Sequence, residues 1–141
     1  MLQEFTDTAI DFTETESGTS DDGGDDQDEG SAPVIRLDNL MIQEAVQLRA
    51  SDIHVEPFEE RVRIRYRIDG VCVERESAPR RMLSALIARI KILSKIDISE
   101  KRRPTDGRIN IKVGDKQLDL GVSIIPTYHG QSCVMRLLDK D

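Results

Sequence analysis

The stretch Arg61-Val62-Arg63-Ile64-Arg65-Tyr66-Arg67-Ile68, followed by Asp69-Gly70, decides how this chain folds. Strict alternation of charged and apolar residues is typical of a β-strand, because successive side chains point to opposite faces of a sheet. The four arginines then share one face, and the aliphatic residues and the tyrosine share the other. Asp-Gly favours a two-residue hairpin turn, so we expect the next strand to pair antiparallel with this one.

The turn and the preceding proline predict the register of the arginine strand. Across the turn, Ile68 lies opposite Val71, and Arg67, Arg65 and Arg63 lie opposite Cys72, Glu74 and Glu76. With a four-residue loop from Pro57 to Glu60, the residues Glu56, His54 and Asp52 lie opposite Arg61, Arg63 and Arg65. Three arginines then have an acidic neighbour, and Arg67 alone has none. We interpret the stripe mainly as an ion-pair lattice, with a phosphate groove as the alternative.

The charge of the chain is unevenly distributed. The 141 residues carry a net charge of -7, yet residues 1–33 hold 11 of the 27 acidic residues and no lysine or arginine, which leaves 16 acidic against 20 basic residues in the remainder. We predict that residues 1–32 form a disordered acidic linker, because they have too few apolar residues to offset the entropy of ordering. An acidic tail that binds a partner is the alternative. No apolar run is long enough for a membrane helix, and the first residues do not resemble a signal peptide.

Apolar spacing over residues 33–141 predicts two helices and five or six strands. One helix begins near Pro33 and runs to about Arg49, and a second opens at Ser77-Ala78-Pro79 and carries its apolar stripe to Leu93. Strands are expected at 52–56, in the arginine hairpin, and at 109–113, 117–125 and 133–138. Hairpin-linked strands with two helices predict an α+β fold, a two-layer domain in which the helices cover one face of a mostly antiparallel sheet.

Sites for catalysis or metal binding have little support in the sequence. None of the nine glycines is followed by lysine, so the chain lacks a Walker A phosphate loop, and no catalytic residue is predicted. Asp52, His54 and Glu56 share a strand face and could be drawn as a metal triad, but charge pairing is the preferred interpretation because a fourth ligand is lacking. Cys72 and Cys133 are expected as free thiols. The basic face leaves a second hypothesis open, a stand-alone anion- or nucleic-acid-binding module, although aromatic residues for stacking are few.

Several segments occur in an order and spacing that resemble one protein family. They are residues 50–57, 65–71, 89–94, 97–104, 106–108 and 134–140. Together they resemble the region before the RecA-like motor domain of the type II secretion and type IV pilus assembly ATPases, over about residues 33–141. The resemblance does not choose between the secretion and pilus branches.

The resemblance implies a PAS-like domain, often called N2, in a cytoplasmic homohexamer that is peripheral to the inner membrane. In the family this domain packs on the motor domain of the neighbouring subunit and closes over ATP bound to its own, and Mg-ATP hydrolysis drives the domain motion that exports or assembles pilin subunits. ATP and Mg would be bound mainly by a motor domain that this chain lacks, so the fragment alone would be non-catalytic and hold no cofactor. Inner-membrane secretion or pilus platform proteins are the further expected partners, whereas nucleic acid and a membrane span are not expected.

The phosphate-contacting arginines of the family carry over only in part. Arg136 matches the arginine of the closing strand. The other family arginine stands just before a Val-Ser pair, and here Gly121 occupies its place. Either Arg108, Arg103 or another residue replaces the missing arginine, or the domain binds ATP weakly. Together with Arg67, which the predicted register leaves without an acidic neighbour, these three arginines are the predicted nucleotide-phosphate or interdomain contacts.

Overall fold

The structure is a computed structural model that describes residues 10–12 and 29–139. In this part of the chain, two helices and seven strands follow one another, with one turn of 3-10 helix (Arg80–Met82) before the second helix. They are β1 (Ile10–Phe12), α1 (Ala32–Gln47), β2 (Asp52–Pro57), β3 (Arg61–Ile68), β4 (Val71–Pro79), α2 (Leu83–Leu93), β5 (Thr105–Val113), β6 (Lys116–Thr127) and β7 (Gly130–Asp139).

The strands form one sheet in the order β1-β5-β6-β7-β2-β3-β4, and every neighbouring pair is antiparallel. Two three-stranded meanders, β2–β3–β4 and β5–β6–β7, therefore join in the middle through the pairing of β2 with β7. The predicted α+β fold is confirmed, with six of the strands where alternation placed them. The seventh, β1, pairs with the outer edge of β5 and was not anticipated. Residues 1–9 and 13–28 of the predicted disordered linker lie outside the described residues.

One face of the sheet is covered by the helices and forms the core. Val62, Ile64 and Tyr66 of β3 are fully buried there, as the alternation predicted. The helices bring apolar side chains onto the same face, among them Met41 of α1 and Leu86 of α2. The opposite face, the open face, carries the arginines of β3. None of the described helices is long and apolar enough to cross a membrane.

A polar network crosses the covered face. Glu44 of α1 is 1% exposed and accepts hydrogen bonds from the Tyr66 hydroxyl at 3.2 Å and from Arg75 Nε and Nη2 at 3.2 and 3.0 Å. Burial raises the pKa of Tyr66, and the nearby Glu44 carboxylate raises it further, so the phenol stays protonated and donates. The network gives a buried carboxylate the charged partner that it needs.

Asp38 of α1 is buried on the same face without such partners. The residue is 1% exposed, and neither carboxylate oxygen accepts a hydrogen bond from the described residues. Burial raises the pKa of Asp38 well above its usual range, and the charge of Arg89 only partly opposes that shift. The side chain is therefore stabilised as the neutral acid.

Two predicted boundaries are wrong for local reasons. Ser77-Ala78-Pro79 does not open the second helix, because these residues still pair with β3 as the end of β4, and α2 begins only at Leu83. β5 begins at Thr105, four residues before the predicted start, because its first residues pair with the end of β6. Gly107 in this stretch lies against the Ser94 carbonyl and Ile96, where a Cβ atom would approach to 2.5 Å, so only glycine fits.

Candidate functional site

The register of β3 against β2 differs by two residues from the prediction. Pro57 belongs to β2 and pairs with Val62, so the loop is the three residues 58–60. The backbone N–H of Phe58 donates to the carbonyl of Arg61 at 2.8 Å and closes this loop. Because the shift is an even number of residues, the arginines keep the predicted face and only their partners change.

On the other side, β3 pairs with β4 as predicted from Ile68 to Arg65, and then a β-bulge intervenes. Arg65 lies opposite Glu74, but the next partner pair is Ile64 with Glu76, so Arg75 is the extra residue of β4. The predicted pair of Arg63 with Glu76 is therefore wrong. The bulge points Arg75 towards Glu44, the buried carboxylate of the covered face.

Glu56 binds two arginines of β3, an arrangement that we call the Glu56 clamp. Arg63 Nε donates to Oε1 at 2.9 Å, and Arg65 donates through Nε to Oε1 at 3.0 Å and through Nη2 to Oε2 at 2.8 Å. The ring of Phe58 lies 4.6 Å from the Arg63 guanidinium carbon. Burial alone would raise the pKa of Glu56, but the hydrogen bonds from Arg65 and Arg63 outweigh it and lower the pKa.

Asp52 also binds two arginines, and we call this arrangement the Asp52 clamp. Arg67 Nε donates to Oδ2 at 3.1 Å and Arg136 Nε donates to Oδ1 at 3.2 Å. Arg67 thus has an acidic partner, and the prediction that it has none is wrong. The Asp52 side chain is 7% exposed, whereas those of Arg67 and Arg136 are 39% and 69% exposed. The carboxylate holds the inner end of each guanidinium and leaves its outer edge in solvent.

Three of the four predicted contact residues lie in one row across the open face, which we call the arginine row. Strand pairing places Arg108 opposite Gly121, Gly121 opposite Arg136, and Arg136 opposite Asp52, which in turn lies opposite Arg67. Neighbouring strands are about 4.8 Å apart, so the Cα atoms of Arg108 and Arg136 are about 10 Å apart. Arg108 Nη1 makes a long contact of 3.5 Å with Asp119 Oδ2, and its side chain is 61% exposed.

Gly121 leaves an open position in the middle of this row. A Cβ atom built there would touch only Leu138 Cδ1, at 3.9 Å. The backbone does not require glycine at this point, because Gly121 is not among the residues with positive φ. The gap between Arg108 and Arg136 is therefore a matter of side-chain chemistry rather than of strain.

Arg103, the fourth predicted contact, is not part of the row. It lies in the connector between α2 and β5, where its Nη2 contacts Glu100 Oε1 at 3.3 Å and its side chain is 80% exposed. The Glu100 carboxylate also accepts the backbone N–H groups of Arg102 and Arg103. These bonds order the connector and leave Arg103 as a solvated side chain.

The strand face that could be drawn as a metal triad is instead an ion-pair surface. The oxygens of Asp52 and Glu56 accept hydrogen bonds from four arginines in all. His54 lies between them, opposite Arg65, and burial lowers its pKa. Positively charged guanidinium groups occupy the lone pairs that a cation would need.

Sequence reasoning did not predict the partners of two carboxylates that lie at the row, Asp52 and Asp119. Asp52 was assigned to Arg65, although it binds Arg136 from a position 84 residues away in the chain. Asp119 lies two residues before Gly121 on the same strand face, and it is the acidic neighbour of Arg108. The period of two along β6 could have indicated Asp119, but the pairing of β2 with β7 has no local signal in the sequence.

The chain is similar to proteins of bacterial secretion and pilus assembly systems. The family model for type II/IV secretion system proteins matches residues 27–141. The type II secretion system protein E of Xanthomonas campestris pv. campestris is 62% identical over 110 residues, and the type IV pilus assembly ATPase PilB of Myxococcus xanthus is 52% identical over 110 residues. The type II secretion system ATPase E of Vibrio cholerae is 47% identical over 115 residues.

These matches cover most of this chain and little of the relatives. They include 78%, 77% and 82% of the chain but only 19%, 19% and 23% of the three relatives, so the chain spans about a fifth of their length. Among solved structures, the pilus retraction motor PilT with bound ADP matches with a TM-score of 0.50 at 18% identity, over 72% of this chain and 29% of that one. At this identity the likeness concerns the fold alone.

Proposed function

The chain belongs to the type II/IV secretion system protein family, and on that premise we propose that it is a non-catalytic domain of a hexameric secretion or pilus assembly ATPase. In this proposal the domain packs on the motor domain of a neighbouring subunit and contacts ATP phosphates through the open face. It couples hydrolysis to export or pilus assembly. The parent protein works in the cytoplasm at the inner membrane, next to the platform proteins of the secretion or pilus machine.

The observation that carries the proposal is the arginine row. Three guanidinium groups of three different strands face solvent in one line, and the acidic groups at the row, Asp52 and Asp119, each contact them from the side. A row with more positive than negative charge and with exposed N–H donors fits an anion with several oxygens. Guanidinium groups of this kind stabilise phosphate charge in nucleotide-hydrolysing motors.

Arg136 is the arginine best arranged for this role. Asp52 fixes its Nε, and the side chain is 69% exposed, so the two Nη groups remain available for a second, bidentate contact. The same carboxylate orients Arg67, whose Nη1 also donates to the carbonyl of Gly70 at 3.2 Å. A residue that is oriented in advance loses less conformational entropy when it binds a phosphate.

Mg-ATP would be held mainly by the motor domain, and its hydrolysis supplies the free energy for movement. The residues of this chain would bind and orient phosphate oxygens from the opposite side. Arg136 and Arg108 are the donors on the two sides of Gly121, and Arg67 adds positive charge at the end of the row. The alternative of a nucleic-acid module has less support, because Glu56 and Glu74 bind the other three arginines of β3.

The experiment replaces Arg136 in the parent protein together with its motor domain. Arg136→Ala should lower kcat/KM for ATP hydrolysis by about tenfold or more, since an arginine that contacts transferring phosphates commonly contributes at least that much. Arg136→Lys should not restore the rate, because lysine cannot contact Asp52 and a phosphate with one planar group.

Arg61→Ala is the matched control on the same face. Arg61 contacts Glu74 at 2.7 Å with both side chains more than two-fifths exposed, so its loss should change the ATPase rate by less than about twofold. Equal effects of Arg136→Ala and Arg61→Ala, with both variants folded, would contradict the phosphate contact. The present chain by itself should hydrolyse no ATP above a heat-denatured control.

A further inference from the structure

A cleft of about 490 Å³ opens between the start of α2 and the β6–β7 hairpin, and we call it the basic cleft. Its apolar lining comes mainly from Leu83 and Ile87 of α2, Ile98 of the connector and Pro126 of β6. Ser84, Thr127 and Gln131 add polar groups. An apolar cleft with a few polar groups is the usual form of a peptide or ligand site.

Among the residues that the structure describes, three basic side chains and one carboxylate, that of Glu29, line the cleft. Lys91 is 1% exposed, its Nζ donates to the Glu100 carbonyl at 2.7 Å, and burial lowers its pKa. Arg80 is held by a hydrogen bond of 2.7 Å from Nη1 to the Phe58 carbonyl. Lys101 is exposed and forms no hydrogen bond or ion pair with the residues that the structure describes.

The sequence just before Glu29 offers an occupant for the cleft. Glu29 is the first residue of the second described range, and it lines the cleft. Residues 20–28 have the sequence Ser-Asp-Asp-Gly-Gly-Asp-Asp-Gln-Asp, with five aspartates and no basic residue. We propose that the basic cleft is a docking site for this segment, which we call the acidic segment.

Tethering makes such docking feasible with weak contacts. Each ion pair at a protein surface contributes about 1 kcal/mol or less. A short tether, however, gives the attached segment an effective concentration of about a millimolar or more. Docking would therefore be reversible and sensitive to salt, and it would link the chain upstream of the domain to the helix layer. This inference concerns neither the arginine row nor ATP, so it can fail or succeed independently of the proposed function.

The test measures the distance of the acidic segment from the cleft in chain 1–141. A nitroxide spin label is attached at Gly24→Cys in a Cys72→Ser background, where the remaining Cys133 is 1% exposed and does not react. Amide signals of the cleft residues Ser84, Lys101 and Gln131 should broaden strongly, and those of β3 should not. Raising the salt concentration from about 0.05 M to about 1 M should abolish the broadening, because the Debye length falls to about 3 Å.

Charge reversal in the cleft provides the matched pair of variants. Lys101→Glu should lower the ratio of docked to undocked segment about fivefold, the equivalent of one surface ion pair. Arg102→Glu changes the charge equally at the next residue, which does not line the cleft, and should leave the broadening unchanged. Even broadening over the whole surface, or equal effects of the two variants, would overturn the proposal. So would inorganic phosphate that shifts the cleft signals when the label at position 24 broadens none of them, since the cleft would then bind small anions.

Discussion

The Glu56 clamp and the Asp52 clamp lie on the same face of β2, and each shares one carboxylate between two arginines. The two clamps differ in how many donors of each arginine are bonded and in how much of its side chain is exposed. Around Glu56, Arg63 and Arg65 are 27% and 28% exposed, and Arg65 donates through both Nε and Nη2. Around Asp52, both arginines contact the carboxylate through Nε alone, and Arg136 is 69% exposed.

A carboxylate shared by two arginines thus has a different effect in each clamp. The Glu56 clamp uses its hydrogen bonds internally and neutralises the middle of the arginine strand. The Asp52 clamp fixes two guanidinium groups by Nε and leaves more of each group exposed to solvent than the Glu56 clamp does. Arg63, Arg67 and Arg136 all donate to their carboxylate through Nε, so the bonded nitrogen does not separate the two clamps. What differs is how much of each guanidinium group stays exposed to solvent, and the alternating sequence does not predict that.

The largest expected effect is a difference in how much each clamp contributes to the free energy of unfolding. Glu56→Ala should lower the free energy of unfolding by about 2 kcal/mol, because three charged hydrogen bonds disappear and two partly buried arginines lose their partner. Asp52→Ala should lower it by about 1 kcal/mol, since the exposed guanidinium groups of Arg67 and Arg136 can be hydrated instead. Urea unfolding of chain 1–141 measures both values.

Glu74→Ala is the control for these two variants. Its side chain is 41% exposed, and among the described residues its carboxylate forms an ion pair with Arg61 alone, so the loss should stay within about 0.5 kcal/mol. A larger loss for Asp52→Ala than for Glu56→Ala would show that the Asp52 clamp is the structural one, and the distinction drawn above would be reversed.

A smaller effect is expected from filling the gap in the arginine row. A Cβ atom at position 121 meets no clash, and Gly121→Arg adds a fourth guanidinium to the row, between Arg108 and Arg136. The parent protein should therefore bind ATP about fivefold more tightly, as an added charged hydrogen bond would give. Equilibrium binding of a fluorescent ATP analogue measures the change. Ser123→Arg adds the same charge one step along β6, outside the row, and should change the affinity less than twofold. Equal gains for both variants would mean that overall charge, rather than the row, sets the affinity.

The smallest expected effect is a pH dependence of opposite sign for two carboxylates. The pKa of Glu56 is lowered in the folded chain, so its contribution to stability is present at neutral pH and is lost as the pH falls through that pKa. The pKa of Asp38 is raised, so its folded form is favoured at low pH and becomes costly as the pH rises above the ordinary range of an aspartate. Asp38→Asn should therefore raise the free energy of unfolding at pH 7 by about 1 kcal/mol or less.

The difference between wild type and Asp38→Asn should shrink as the pH is lowered below about 4, because the aspartate of the unfolded chain then becomes neutral as well. Thermal unfolding at a series of pH values measures it. An Asp38→Asn chain that is less stable than wild type at pH 7 would indicate that the carboxylate is ionised and bound to Arg89.

Local patterns in the sequence were enough for the two helices and six of the seven described strands, although not for β1 or for every boundary. The alternation of β3 predicted both its buried side and its arginine side, and Asp69-Gly70 predicted the hairpin and the first four pairs after it. The bulge at Arg75 was not predictable in this way, because it depends on a buried partner, Glu44, on a different element. Likewise, the length of the loop after Pro57 depended on the contacts of Phe58.

The sequence named the residues of the candidate site but did not predict how they are arranged. Arg136 and Gly121 came from family resemblance, and Arg108 was named only as a substitute. Their common row follows from pairings across four strands, which local periodicity does not specify. Arg103 lies outside the row, which the sequence did not indicate, because a charged connector gives no sign of which side chains it brings to the sheet.

The pairing of β2 with β7 has a further consequence for how the chain acquires its structure. Asp52 and Arg136 meet across 84 positions, so the centre of the sheet joins the first and last long strands of the domain. Each meander can form by itself from hairpins, but the seam between them closes only after residues 130–139 have been made. Contacts of such long range slow folding. Before residues 130–139 are made, β2 and β6 each have an unpaired edge, and these edges can cause a ribosome-bound chain to aggregate.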